Sequence, residues 1–206
     1  MRIVIDLLMA EKEMGTQSSI IYTLLEELAR VDESNEYWVL TTQPDTYQKV
    51  DMGQNMHLYV VKWRLRDTLL LNRQFLLPDL LRRLQPDVLH VVAGIAPIGW
   101  DGSLVMMVPD LKFLELPSLS NQPINRLYWH YLLRESLQRA ERIITTSEHA
   151  NRELISTLGV ERERILACYG PQWPVSSLAT QVAITTIQAY QEVVNAGRRK
   201  CRERSL

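Results

Sequence analysis

Four short stretches of this 206-residue chain carry side chains able to do chemistry. Met14-Gly-Thr-Gln-Ser-Ser-Ile-Ile-Tyr22 leaves an apolar run and opens an amphipathic one. Gly15 lets a backbone approach a ligand closely, and the free N–H groups of a starting helix attract phosphate or sugar oxygens. Thr16 and Gln17 add polar side chains to that turn, although Thr16 or Ser18 serves equally well as a plain helix cap. Pro109-Asp110 closes another apolar run. Asp110 can accept a hydrogen bond from a substrate hydroxyl or from a nearby backbone N–H. Pro109 has neither donor nor basic nitrogen and does no acid–base work. Ser147-Glu148 opens another helical stretch, where capping and the helix dipole account for both residues as well as a ligand does. His90 lies inside an apolar run and reads as a core histidine bonded to a neighbour.

Several chemistries are excluded by what these residues lack. No His-x-x-x-His or Cys-x-x-Cys spacing exists, so no metal site is expected. There is no Gly-x-Ser-x-Gly elbow, no phosphate-binding Walker loop and no Gly-x-Gly-x-x-Gly turn. Glu161 and Glu163 read as a solvated loop. His130 sits among Tyr128, Trp129 and Tyr131, a stretch that packing against a sheet would explain. A net charge of -1 gives no reason to expect nucleic acid. Cys168 and Cys201 are the only cysteines, which fits a reducing cytoplasm. The start Met1-Arg-Ile-Val-Ile-Asp6 has no leader character, and no apolar run approaches the ~20 residues that span a bilayer. The tail Arg198-Arg-Lys-Cys-Arg-Glu-Arg204 is basic and expected to fray; at most it touches a membrane surface peripherally.

The elements that position these residues alternate. Strands are expected at Ile3–Ile5, Tyr37–Leu40, His57–Val61, Asp87–Val92, Leu104–Val108, Arg142–Thr146 and Arg164–Cys168. Helices are expected at Ser18–Val31, Thr68–Leu84 with a kink or break at Pro78, Asn125–Arg139, His149–Leu158 ended by Gly159, and Val175–Ala196. Such alternation implies right-handed crossovers in a single Rossmann-like, doubly wound parallel α/β sheet. Ligands on such sheets bind beyond the carboxyl ends of the strands, where Gly15, Asp110 and Ser147 all fall. Residues 1–171 form the domain, and Gly170-Pro-Gln-Trp-Pro174 is the linker signal. Residues 172–206 hold the rest of that linker, a helix packing back on the same domain, and the basic tail.

Three segments together resemble family-4 glycosyltransferases. Gln85-Pro-Asp-Val-Leu-His90 is similar to a strand of that family. Met107-Val-Pro-Asp-Leu111 with Phe113-Leu-Glu-Leu-Pro117 is similar to its His-Asp-Leu segment and the loop behind it. Ser136-Leu-Gln-Arg-Ala-Glu-Arg-Ile-Ile-Thr-Thr-Ser-Glu148 is similar to a third, and the match runs on through Arg152-Glu-Leu-Ile155 and Leu158-Gly-Val160 to Ile165. Ala183 and Tyr190-Gln-Glu-Val193 resemble the family's last helix, which crosses back onto the first domain. The resemblance implies half of a GT-B fold: the acceptor-side domain and crossover helix, without the donor-binding domain that would lie between Pro171 and Val175. It also marks departures. Pro109 replaces the family histidine, and Ser18, Ser19 and Ile21 replace residues of a glycine-rich turn.

The resemblance implies two functions. The chain is a subunit of a split glycosyltransferase of the hexosyltransferase class, inactive alone, or a non-catalytic remnant serving as a binding or assembly module. No cofactor is expected, and a nucleotide sugar enters only if a partner supplies the donor domain. Expected partners are a second copy in a homodimer or a donor-domain protein, with a sugar or glycan acceptor. The covered surface is expected at Ala93–Trp100 and Phe113–Leu119, which would otherwise expose Ile95, Trp100 and Phe113.

Overall fold

A computed structural model describes residues 1–13, 18–62, 69–109, 123–169 and 175–203. Seven strands form one parallel sheet: β1 (Arg2–Asp6), β2 (Glu36–Thr41), β3 (Met56–Val60), β4 (Val88–Val92), β5 (Leu104–Met107), β6 (Arg142–Thr145) and β7 (Ile165–Ala167), in the order β3-β2-β1-β4-β5-β6-β7. The helices are α1 (Ala10–Glu13), α2 (Ser18–Val31), α3 (Leu69–Leu84), α4 (Pro123–Arg139), α5 (Glu148–Ser156) and α6 (Val175–Glu203). The expected doubly wound sheet is therefore what the chain builds.

Alternation along each strand sorts the core into two layers. Val4, Leu89, Val91, Leu104 and Met106 point to one face, where Leu77 and Leu81 of α3, Trp129 to Leu137 of α4, and Leu154 of α5 cover them. Ile3, Ile5, Val88, Val92, Val105 and Ile144 point to the other, covered by Leu24, Leu25 and Leu28 of α2 and by Val182, Ala183, Tyr190 and Val193 of α6. Each fully buried aliphatic or aromatic side chain contributes ~1.5–3 kcal/mol of transfer free energy. The two layers are thus the main source of cohesion, and α6 is part of one of them.

Chain order gives the sheet its direction change. From β1 the chain builds outward to β2 and β3, then returns through α3 to place β4 on the other side of β1. β1 pairs with β2 (Ile3 beside Tyr37) and with β4 (Ile3 beside Val88). The crevice above β1 and β4 is accordingly the point where strand order reverses, the usual ligand position in such sheets.

Several expectations need correction. α3 continues unbroken through Pro78. The ring is buried, and Gly99 lies against it so closely that an added Cβ would come within 3.3 Å of its Cγ. α6 runs beyond Ala196 to Glu203 and so takes in most of the basic tail; cations near a helix C-terminus are favoured by its dipole. Only Trp129 of the aromatic stretch packs inward, whereas Tyr128 and Tyr131 face solvent, as the 3.6-residue period requires. Within Ala93–Trp100, expected to present apolar side chains to a partner, Ile95, Ala96 and Trp100 are buried in the chain itself and Ile98 alone of the large side chains is exposed. Phe113–Leu119 lies outside the described residues.

Candidate functional site

The crevice at the β1/β4 crossing is built from the ends of those strands, Asp6 to Ala10 and Ala93 to Ile95. Asp6 terminates a strand whose central residues, Ile3 to Ile5, are apolar, and its own carboxylate is buried. A buried carboxylate needs a cation and hydrogen bonds. Arg73 of α3 supplies both. Its Nη1 donates to Asp6 Oδ1 at 3.0 Å and its Nη2 to Oδ2 at 2.5 Å, a two-pronged arrangement. Nη2 also donates to the carbonyl of Ile95, and Leu8 N donates to Asp6 Oδ1 at 3.1 Å. The two side chains are 1% and 0% exposed. One ion pair therefore ties β1, α3 and the segment after β4 together and uses up the charge at the crevice floor.

The rest of the floor is apolar and closed. Leu7, Leu8, Met9 and Ala10 are all buried. Gly94 fits against Met9 because it has no side chain; a Cβ there would lie 3.1 Å from that of Met9. Ala93 has φ +44°, a left-handed conformation that non-glycine residues seldom adopt, and its N–H donates to Met107 O at 2.9 Å. Beside the floor, Glu11 holds the turn after β1 to the end of β2. Its carboxylate accepts from the Thr41 hydroxyl, from Thr42 N at 3.0 Å and from the Thr42 hydroxyl at 2.9 Å.

Four of the six expected site residues, Gly15, Thr16, Gln17 and Asp110, lie outside the described residues. Pro109 is described and buried at the end of β5. Ser147 and Glu148 stand beyond β6. The Ser147 hydroxyl accepts from Ala150 N at 3.3 Å and caps α5, while Glu148 is exposed in its first turn. From β1 to β6 is three strand spacings, on the order of 14 Å. The cap and the buried ion pair thus sit three strands apart and do not form one cluster.

His90 stands one strand layer below. It is fully buried in β4, with Nδ1 2.6 Å from the Tyr190 hydroxyl of α6. Burial pushes its pKa down to about 3, so it is neutral at physiological pH. It is the bonded core histidine that the sequence implies, and it does not reach the crevice. Among the described residues, no group of three or more His, Cys, Asp or Glu side chains could hold a metal ion. None of their helices is long and apolar enough to cross a membrane.

Asp6 and Arg73 are the residues that sequence reading passed over. The signal was present. Arg73 lies four and eight residues before Leu77 and Leu81, on the buried stripe of α3, so its charge required a partner.

The profile of Glycosyltransferase Family 4 matches residues 17–169. No curated protein matches the chain. Among solved structures, a sucrose-phosphate synthase from Thermosynechococcus elongatus, carrying the residue numbers 27–220 and 406–426, aligns at a TM-score of 0.55 and 10% identity, over 93% of this chain and 98% of that one. A putative UDP-N-acetylglucosamine 2-epimerase from Listeria monocytogenes aligns at 0.53 and 9% identity, over 80% of this chain and 43% of its own. A further UDP-N-acetylglucosamine 2-epimerase aligns at 0.51 and 12% identity, over 81% and 45%. The chain thus spans less than half the length of these two epimerases, and likeness at such identities is a likeness of fold.

Proposed function

The chain belongs to Glycosyltransferase Family 4, and from that premise we propose that it is the acceptor-side subunit of a split glycosyltransferase, inactive until a partner brings the donor-binding domain. The observation that carries this reading is the short connection from β7 to α6. Residues 168–174 are all that separates the last strand from the helix that seals the sheet. The sucrose-phosphate synthase structure that this chain matches nearly end to end skips from 220 to 406 in its own numbering. On this reading a domain-sized segment is replaced here by seven residues, and the sugar nucleotide has no half of the cleft to bind on this chain.

A second reading, a non-catalytic module for binding or assembly, is favoured by one specific observation. At the described strand ends the Asp6 charge is neutralised by Arg73, and Pro109 is buried where the family histidine is expected. Both readings put a partner, a second copy or a donor-domain protein, over the carboxyl ends of the strands.

Calorimetric titration of the isolated chain with uridine, guanosine and adenosine diphosphate sugars tests what the readings share. No saturable heat is expected, and micromolar binding would overturn both. Capture of partners from native lysate, followed by a sugar-transfer assay on the reconstituted pair, separates them. Activity that needs both proteins supports the split enzyme; a stable pair without activity supports the module.

A further inference from the structure

We propose that the His90–Tyr190 contact is an acid-sensitive latch that fastens α6 to the sheet, and that protonation of His90 opens α6 ahead of the rest of the fold. The inference is independent of the proposed function.

The geometry is one-sided. His90 is completely buried at the middle of β4, flanked in register by Ile5 of β1 and Val105 of β5. Its Nδ1 meets the Tyr190 hydroxyl at 2.6 Å, and its Nε2 has no hydrogen-bond partner. The two rings stand edge to face with centroids 5.5 Å apart. Tyr190 is equally buried. The titratable groups that act on the Tyr190 end of this contact are Tyr37 of β2 and Asp32, which follows α2. The Tyr37 ring lies 6.4 Å from that of Tyr190, and its hydroxyl donates to Asp32 at 2.5 Å. Asp32 is thereby occupied, so no carboxylate among the described residues contacts the imidazole.

A neutral imidazole fits this pocket with one bond to Tyr190. An imidazolium carries two N–H donors, and the pocket has an acceptor for one. A second proton therefore enters only when the pocket opens. Opening by displacement of β4 would break the ladders to β1 and β5 together. Opening by displacement of α6 breaks one helix face, formed around Val182, Ala183, Ala189, Tyr190 and Val193. α6 contributes no strand pairing, so its displacement leaves every ladder of the sheet intact. It is the cheaper part to move.

The sign and size follow from linkage. Burial depresses the folded ring to about 3, whereas a solvent-exposed imidazole titrates near ~6.5. The closed state is fully favoured above that ordinary value and loses ground as pH falls toward the folded one. The ratio of open to closed rises about tenfold per pH unit in that window, or roughly 100-fold from about pH 7.5 to about pH 4.5.

Hydrogen exchange of the full chain, corrected for intrinsic rates, reads this directly. Protection of the α6 amides around Tyr190 is expected to fall roughly 100-fold across that range while β1 and β4 amides keep theirs. In His90→Asn, which can bond to Tyr190 but cannot titrate, α6 protection should be flat with pH. Tyr190→Phe should lower protection at neutral pH and retain the acid dependence. A flat wild-type profile, an equal fall in His90→Asn, or simultaneous loss from β1 and β4 would overturn the latch. Should His90→Asn fail to fold, an NMR titration decides: a His90 ring that titrates in the folded chain at the ordinary imidazole value, with α6 still protected, sinks the idea.

Discussion

Asp6 and Arg73 compensate each other's charge at a depth that water does not reach. Removing one leaves the other unpaired, which costs ~3–5 kcal/mol, whereas replacing both with apolar residues of similar volume is often close to neutral. Arg73→Met is therefore expected to lower the urea midpoint sharply, and Asp6→Leu with Arg73→Met to regain most of the loss. If the double variant is as unstable as the single one, the pair contributes more than charge balance. Pro109 belongs to the same scale. Restoring the family histidine by Pro109→His is expected to give no sugar transfer, because a general base accelerates only a bound and oriented donor. Transfer by that variant alone would place a donor site on this chain. Sequence reading found the residues whose types announce chemistry, and missed Asp6 and Arg73 because each looks ordinary by itself. Their meaning lies in a contact between residues 67 apart, and no local pattern encodes it.

At the scale of elements, periodicity was legible and end effects were not. All seven strands are where apolar runs stand, within a residue or two. The four-residue α1, the passage of α3 through Pro78 and the full length of α6 depended on tertiary packing or helix-end electrostatics. Ser147 caps α5, as its position before the helix implies. Ser147→Ala should cost ~1 kcal/mol of stability and leave partner capture unchanged; loss of the partner at retained stability would give Ser147 the ligand role that the cap does not require. The link from α2 to β2 makes a second acid-sensitive point. Burial works to raise the Asp32 carboxyl, but hydrogen bonds from Tyr37, Asn35 and Ser34 outweigh it and hold the group below the ordinary range. Its contribution is thus complete above the usual carboxylate value and is lost as pH falls beneath it. Acid unfolding should show this step below that of His90, and Asp32→Asn should abolish it and reduce stability at neutral pH.

For the whole molecule, the layer architecture was read from alternation alone, but the surface was not. Within Ala93–Trp100, the described part of the face expected to meet a partner, Trp100 is a core residue at 8% exposure while Ile98 is 51% exposed. Trp100→Asp should therefore unfold the chain. Ile98→Asp should fold normally and serves as the proper probe of association by light scattering. An unchanged mass and unchanged partner capture in Ile98→Asp would exclude this edge of the crevice from the contact.

The position of α6 in the chain also has a consequence in time. It shares the cover of one face of the sheet with α2 and lies over β4, β5 and β6, yet it is made after β7. At ~5–20 residues per second, a ribosome takes on the order of seconds to pass from Ala167 to Glu203. During that interval Val88, Val92, Val105 and Ile144 have no lid. Slow codons after β7 should therefore lower soluble yield more than slow codons before β1.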